Sequence, residues 1–346
     1  MTWAITTLKD YQAMQQKPTS FKAAAVNIFS KDIALALNAE VEIIPTIQFG
    51  REPELRPDLS KYEGIVLAEH PFQASPVLSF PNPPTDATFR QMRSILDYEG
   101  PIKTWNFWHS YPNWRAGHAR AMSAGSRAQT WHNDQTEAEL LRVIMSETID
   151  DLVASAKQTR THHVIGDSHA YSAWEPNASI YGLQGKTLFS ALKIGLTELT
   201  PGTPEKITFN LGNTDLRHHL ARQPDPLQAT TELAEEYVRQ VSQIDAEVVV
   251  YGLLPNIEDD SKFYKSYRYK NELHAGPIEL RDELRTRFNE VVSAGVSTFR
   301  STPKCFINDA GHLIKQFHEA RGPHVHAKAM AWNFLTNEYN DVFSWY

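Results

Sequence analysis

The chain has 346 residues, of which 41% are hydrophobic and 22% charged, with a formal net charge of -7. This composition is globular, the length allows two domains, and the acidic balance (pI ≈ 6.1) excludes a broad electrostatic grip on nucleic acid or on an anionic membrane. The single cysteine, Cys305, excludes an intrachain disulfide, and no apolar run approaches the length of about 18 residues that crosses a bilayer. Met1–Lys22 is polar and has no apolar segment of the kind a signal peptide needs, so a soluble, cytoplasmic protein is expected.

In chain order, residues 22–29, Val41–Ile44, Gly64–Leu67 and residues 102–108 carry the apolar pattern of strands. The charged stretch Arg51–Tyr62 and the proline-rich stretch Ser75–Thr85 read as loops. Thr136 and Glu139 form a capping box, and the apolar spacing after them predicts a helix over Thr136–Gln158. The boundary between an N-terminal α/β domain of unassigned role, 1–157, and a second domain, 158–346, is placed at its end. His162 and His163 are expected in a solvated turn. Val164–Ile165, Lys206–Leu211, Glu247–Leu254 and Cys305–Ile307 read as strands. Helices are expected from Asp225-Pro226 to about Ile244, from Gly276-Pro277 to about Ala294, and over Ala327–Leu335. Alternating strands and helices predict a parallel sheet, with ligands bound outside the carboxyl ends of the strands.

Polar motifs stand where those strand ends fall. Gly166-Asp167-Ser168-His169 can turn tightly and hold the Ser168 hydroxyl out of the sheet. Gly212, Asn213 and Arg217 offer a backbone N–H, an amide and a charged donor to a developing negative charge, with Asp215 in the same loop. A serine nucleophile needs a base, and His324 and His326 are the candidates, histidine being the side chain suited to that role. Trp105, Trp108, Trp114 and Trp131 are expected either to pack the N-terminal domain or to line a ligand cleft.

The order of these motifs resembles the SGNH (GDSL-like) hydrolase superfamily. Gly166-Asp167-Ser168-His169-Ala170 resembles the GDSHA form seen in bacterial and phage-encoded members, acyl-modifying ones included. Phe209–His219 resembles a Gly-x-x-Asp-x-Arg variant of the family's third block. Tyr251–Pro255 stands where the family has a strand ending in proline, and Arg285–Val292 resembles its Phe-Asn-containing helix. The resemblance covers about residues 160–335 and implies a three-layer, flavodoxin-like α/β domain. It implies that Ser168 is the nucleophile, that Ser168 and Gly212 supply oxyanion N–H groups, and that His326 or His324 is the base. Asp167, His169, Asn213, Asp215 and Arg217 are expected around the oxyanion or the substrate. The family's last block is Asp-x-x-His. Arg321 and Pro323 stand three residues before His324 and His326, so the orienting group is expected from Glu319 or a backbone carbonyl.

The expected activity is serine-dependent acyl-ester hydrolysis or acyl transfer on a small-molecule or carbohydrate substrate, with no cofactor and no metal. Two other readings use the same residues. One is a non-catalytic binding or scaffold domain. The other is a metal-dependent phosphoesterase holding its metals on Asp167, His169, Asp215 and His326.

Overall fold

The computed structural model describes residues 2–6, 30–44, 58–67, 98–105, 147–167, 169–173, 175, 177–183, 186–256, 274–302 and 307–313. The chain divides into two compact units, and among the described residues the division falls between Lys157 and Gln158. Both are α/β units built on a parallel sheet.

The first unit carries β1 (Thr2–Thr6), β2 (Glu40–Ile43), β3 (Gly64–Leu67), β4 (Ile102–Thr104) and β5 (Glu147–Thr148), in spatial order β2-β1-β3-β4-β5. The strand β1 was not foreseen; its Ala4 and Ile5 are fully buried in the middle of the sheet. Within the helix expected over Thr136–Gln158, the described residues hold α1 (Asp150–Gln158), while Glu147–Thr148 pairs with β4 instead. Two contacts favour the strand here: an ion pair from Glu147 to Lys103, and the Ile149 N–H donated to the Thr104 carbonyl at 2.9 Å. Residues 136–146, the strand expected at 22–29, and Trp108, Trp114 and Trp131 lie outside the described residues. Trp105 is buried.

The second unit carries β6 (His162–Gly166), β7 (Ala178–Gly182), β8 (Lys206–Asn210), β9 (Glu247–Tyr251) and β10 (Phe299–Arg300), in order β10-β9-β8-β6-β7. Numbered within the unit this is 2-1-3-4-5, the flavodoxin-like order. Its helices are α2 (Leu188–Ile194), α3 (Asn213–His218), α4 (Pro226–Val241) and α5 (Ile278–Gly295). Asp225 caps α4 as its sequence indicates, its carboxylate accepting from Gln228 N–H at 3.0 Å, a bond worth about 1 kcal/mol. Ile165, Phe209 and Val250 share one row of the sheet and pack on Leu192, Tyr237 and Phe288 from the helices. The alternate row, Val164, Thr208 and Val249, is buried as well. Burial on both faces is why these strands read as nearly continuous apolar runs.

One expectation is corrected here. His162 and His163 belong to β6, with His163 fully buried against the Tyr181 ring, because they complete the ladder beside Lys206 and Ile207. Among the described residues the last strand is Phe299–Arg300; of the strand expected at Cys305–Ile307 only Ile307 is described, and it bridges Leu313 antiparallel. The helices expected from Asp225-Pro226 and from Gly276-Pro277 are present as α4 and α5, ending at Val241 and Gly295. Residues 303–306 and 327–335 lie outside the described residues.

The register of the ladder fixes where the loops emerge. Gly166 pairs with Asn210 and with Gly182, and Phe209 pairs with Val250. Four strands therefore end level, and the segments after β6, β8 and β9 leave the sheet along one edge.

Candidate active site

At the end of β6 the chain turns immediately. A Cβ on Gly166 would stand 2.3 Å from the Asn210 carbonyl oxygen, so only glycine lets β6 and β8 approach this closely. The Asp167 N–H donates to that same carbonyl at 3.1 Å, and Ala170 N–H donates to the Asp167 carbonyl at 3.0 Å. Asp167 is fully buried. Its Oδ1 accepts from the His169 backbone N–H and pairs with His169 Nδ1, both at 2.8 Å. Burial pushes the Asp167 carboxyl up, but His169 and the more distant Arg217 charge outweigh it and hold it below the usual carboxylate range. Ser168 lies between these two anchored residues in sequence and is itself outside the described residues.

The loop after β8 is tied to this turn. The Asn210 amide donates to the His169 carbonyl at 3.0 Å. Gly212 has φ +102°, and a Cβ there would meet Leu253 at 2.8 Å. Asn213 is buried; its amide donates to Asn210 Oδ1 at 3.2 Å and its Oδ1 accepts from Leu254 N–H at 2.9 Å. The amide expected at an oxyanion thus braces three segments. Arg217 Nε folds back on the Asn213 carbonyl at 3.3 Å. Asp215 points elsewhere: its carboxylate accepts from Leu188 N–H at 2.6 Å and Phe189 N–H at 3.2 Å, holding the start of α2.

Burial pushes the Asp215 carboxyl up to about 6, against the pull of the Leu188 and Phe189 N–H groups. A carboxyl raised in the folded state stabilises fully below its ordinary value near 3.8 and loses that contribution as pH rises through about 6. Wild-type stability is therefore expected to fall by roughly 2 kcal/mol between about pH 4 and pH 7 relative to Asp215→Asn. Urea unfolding of both proteins across that range checks this. Asp167, held low, acts with the opposite sign and only below that window.

The segment after β9 reaches a second cluster, which the sequence reading did not single out. Asn256 is buried. Its amide donates to Asp282 Oδ1 on α5 at 2.6 Å, and its carbonyl accepts from Leu313 N–H at 2.9 Å. The other Asp282 oxygen meets His312 Nε2 at 2.8 Å. His312 is itself fixed: its N–H donates to Asn308 Oδ1 at 2.9 Å, and its carbonyl accepts from Asn308 N–H at 2.8 Å. One set of hydrogen bonds thus runs from the Asp167–His169 turn through Asn210 and Asn213 to Leu254, and a second, two residues on along the backbone, runs from Asn256 through Asp282 to His312. The Asp-x-x-His spacing sought before His324 and His326 stands at Asp309-Ala310-Gly311-His312, and that was the signal available. His324 and His326 lie outside the described residues.

Among the described residues no three His, Cys, Asp or Glu side chains converge as a metal site. The Asp167 carboxylate is engaged by His169, and that of Asp215 by the Leu188 and Phe189 N–H groups. An open cleft of about 700 Å³ lies beside Asp215, between α2 and α4, with Phe189, Leu192 and Leu233 in its walls. Among the described residues no helix is long and apolar enough to cross a membrane.

No family model matches the chain, and no curated protein does. Solved structures do. A GDSL-like lipase from Bacteroides thetaiotaomicron VPI-5482 matches at TM-score 0.38 and 13% identity, over 51% of this chain and 84% of that one. A Bacteroides fragilis NCTC 9343 protein titled an acylhydrolase matches at TM-score 0.38 and 12% identity, over 52% and 85%. A Streptococcus pneumonia protein titled a platelet activating factor matches at TM-score 0.37 and 18% identity, over 52% and 83%.

Proposed function

We propose that the second unit is a serine-dependent acyl-ester hydrolase or acyltransferase of the SGNH type. The observation that carries this reading is that the segment Leu254–Asn256 is hydrogen-bonded at one end to the loops behind the Asp167–His169 turn and at the other to the Asp282–His312 pair. It supports a site in which a serine after β6 and a histidine held by a carboxylate act together at the carboxyl edge of the sheet.

In this mechanism the Ser168 hydroxyl attacks the acyl carbonyl. The O–C bond forms as the carbonyl π pair moves to oxygen, and the hydroxyl proton goes to the imidazole. The oxyanion is met by backbone N–H groups, with Ser168 and Gly212 as the donors the motif implies. The imidazolium then protonates the leaving alkoxide, and water or an acceptor hydroxyl resolves the acyl-enzyme. His312 is favoured as base because it has a carboxylate partner; His326 and His324 are its rivals. Asp167, with its Oδ1 spent on His169, holds the nucleophile turn. The substrate class proposed is an acyl ester on a small polar molecule or a carbohydrate.

The test is turnover of p-nitrophenyl acetate and of an acetylated monosaccharide. Wild type is expected to hydrolyse at least one of them, insensitively to EDTA, and Ser168→Ala is expected to lose the activity by about 10⁴-fold or more. Turnover that survives Ser168→Ala, or that EDTA abolishes, overturns the serine mechanism and favours the metal reading.

A further inference from the structure

We infer that the carboxylate that positions the base is Asp282, supplied by α5, and that Asn256 sets which imidazole nitrogen works. This rests on the serine-hydrolase reading. The acid nearest in sequence is Asp309, three residues before His312, but Asp309 is exposed. The histidine reaches instead across 30 residues of sequence to Asp282, at 2.8 Å. The loop that makes this possible is tightly built. Asn308 Oδ1 accepts from the N–H groups of Ala310 and His312, Gly311 takes φ +82°, and Leu313 is buried where its N–H meets Asn256.

The chemistry follows from the donors. Asn256 presents an amide N–H to Asp282 Oδ1, so the second carboxylate oxygen is the one that faces His312. A carboxylate only accepts, so His312 Nε2 carries the proton and Nδ1 carries the lone pair that takes a proton from the nucleophile. Arg285, one turn further along α5, acts on the same carboxylate: burial pushes its guanidinium down and the Asp282 charge offsets part of that. Asp282 touches neither substrate nor nucleophile in this mechanism and is a positioning residue. His312 and Asp282 are both part-buried.

The substitution that isolates this role is Asp282→Asn. Its amide oxygen is drawn to the Asn256 donor, which turns the NH₂ group toward His312 Nε2. That nitrogen must then accept, the proton moves to Nδ1, and the base is disabled without a change of shape. The expected result is a fall in kcat of about 10³-fold or more with KM unchanged, while Asp309→Asn stays within about threefold of wild type. The double variant Asp282→Asn/Asn256→Ala frees the new amide to rotate, and recovery of about tenfold in kcat is expected. A purely structural role for Asp282 predicts no recovery, because a second bond is lost. A downfield proton NMR signal from the His312 Nε2–H, present in wild type and absent in Asp282→Asn, supplies a readout that does not depend on turnover. If wild type reacts with esters but Asp282→Asn matches it, or Asp309→Asn is the inactive one, the assignment of Asp282 fails and the hydrolase reading stands. If wild type does not react at all, the hydrolase reading fails and takes this one with it.

Discussion

His312→Ala is expected to reduce ester turnover by about 10⁴-fold or more, with the fold intact. The reason is local. His312 is held by Asp282 on its ring and by Asn308 on its backbone, and none of these bonds ties one layer of the core to another. Truncating the ring therefore removes the proton acceptor while Leu313 keeps the loop anchored on Asn256. The cost to stability is that of a part-buried polar side chain, about 1 kcal/mol. Turnover of p-nitrophenyl acetate and a urea melt separate the two effects. If His326→Ala abolishes turnover and His312→Ala does not, the base comes from the segment of His324 and His326, and the Asp282–His312 pair is structural.

Gly166→Ala is expected to lower stability by about 3 kcal/mol and the melting temperature by roughly 10 °C. The new methyl would sit 2.3 Å from the Asn210 carbonyl oxygen and 3.0 Å from the Ala170 Cβ. Neither contact is with the end of a flexible side chain, so the backbone must move. Relief requires β6 to part from β8 where Asp167 N–H meets the Asn210 carbonyl, and it disturbs the bond from Leu183 N–H to the Gly166 carbonyl. Those bonds fix the turn that carries Ser168, so activity is expected to fall further than the unfolded fraction alone explains. Thermal denaturation and turnover at a temperature where the variant remains folded measure the two losses. A melting temperature unchanged within 2 °C would contradict the close approach of the strands (roughly 2–4 °C per kcal/mol is expected at this size).

The second unit was legible in the sequence largely where its strands are buried on both faces. Val248, Val249 and Val250 leave little alternative to a central strand, and Asp225-Pro226 marks a helix start by chemistry that needs no tertiary help. Elements that failed did so because long-range pairing decided them. Thr2–Thr6 is five residues in a polar neighbourhood, and only its place between β2 and β3 makes it a strand. Glu147–Thr148 continues a helical spacing but pairs with β4. Ala178–Gly182 sets only Ile180 and Tyr181 among small residues beside β6 and gave little periodic signal. The site divides in the same way. Glycine and polar residues after β6 and β8 announced their turns. The roles of Asn213 and Asp215 as braces did not show, because their partners Leu254, Leu188 and Phe189 lie 26 to 41 residues away. Asp282 was hidden for the same reason, whereas the spacing of Asp309 and His312 was open to view.

The most direct measurement is mass spectrometry of the full-length protein after reaction with diisopropyl fluorophosphate. A single adduct, mapped to the peptide containing Gly166–Ala170 and placed on Ser168, is the predicted result, and its formation is expected to slow in His312→Ala and Asp282→Asn. Absence of any adduct, or an adduct on a serine or tyrosine elsewhere that persists in Ser168→Ala, would contradict the serine-hydrolase account.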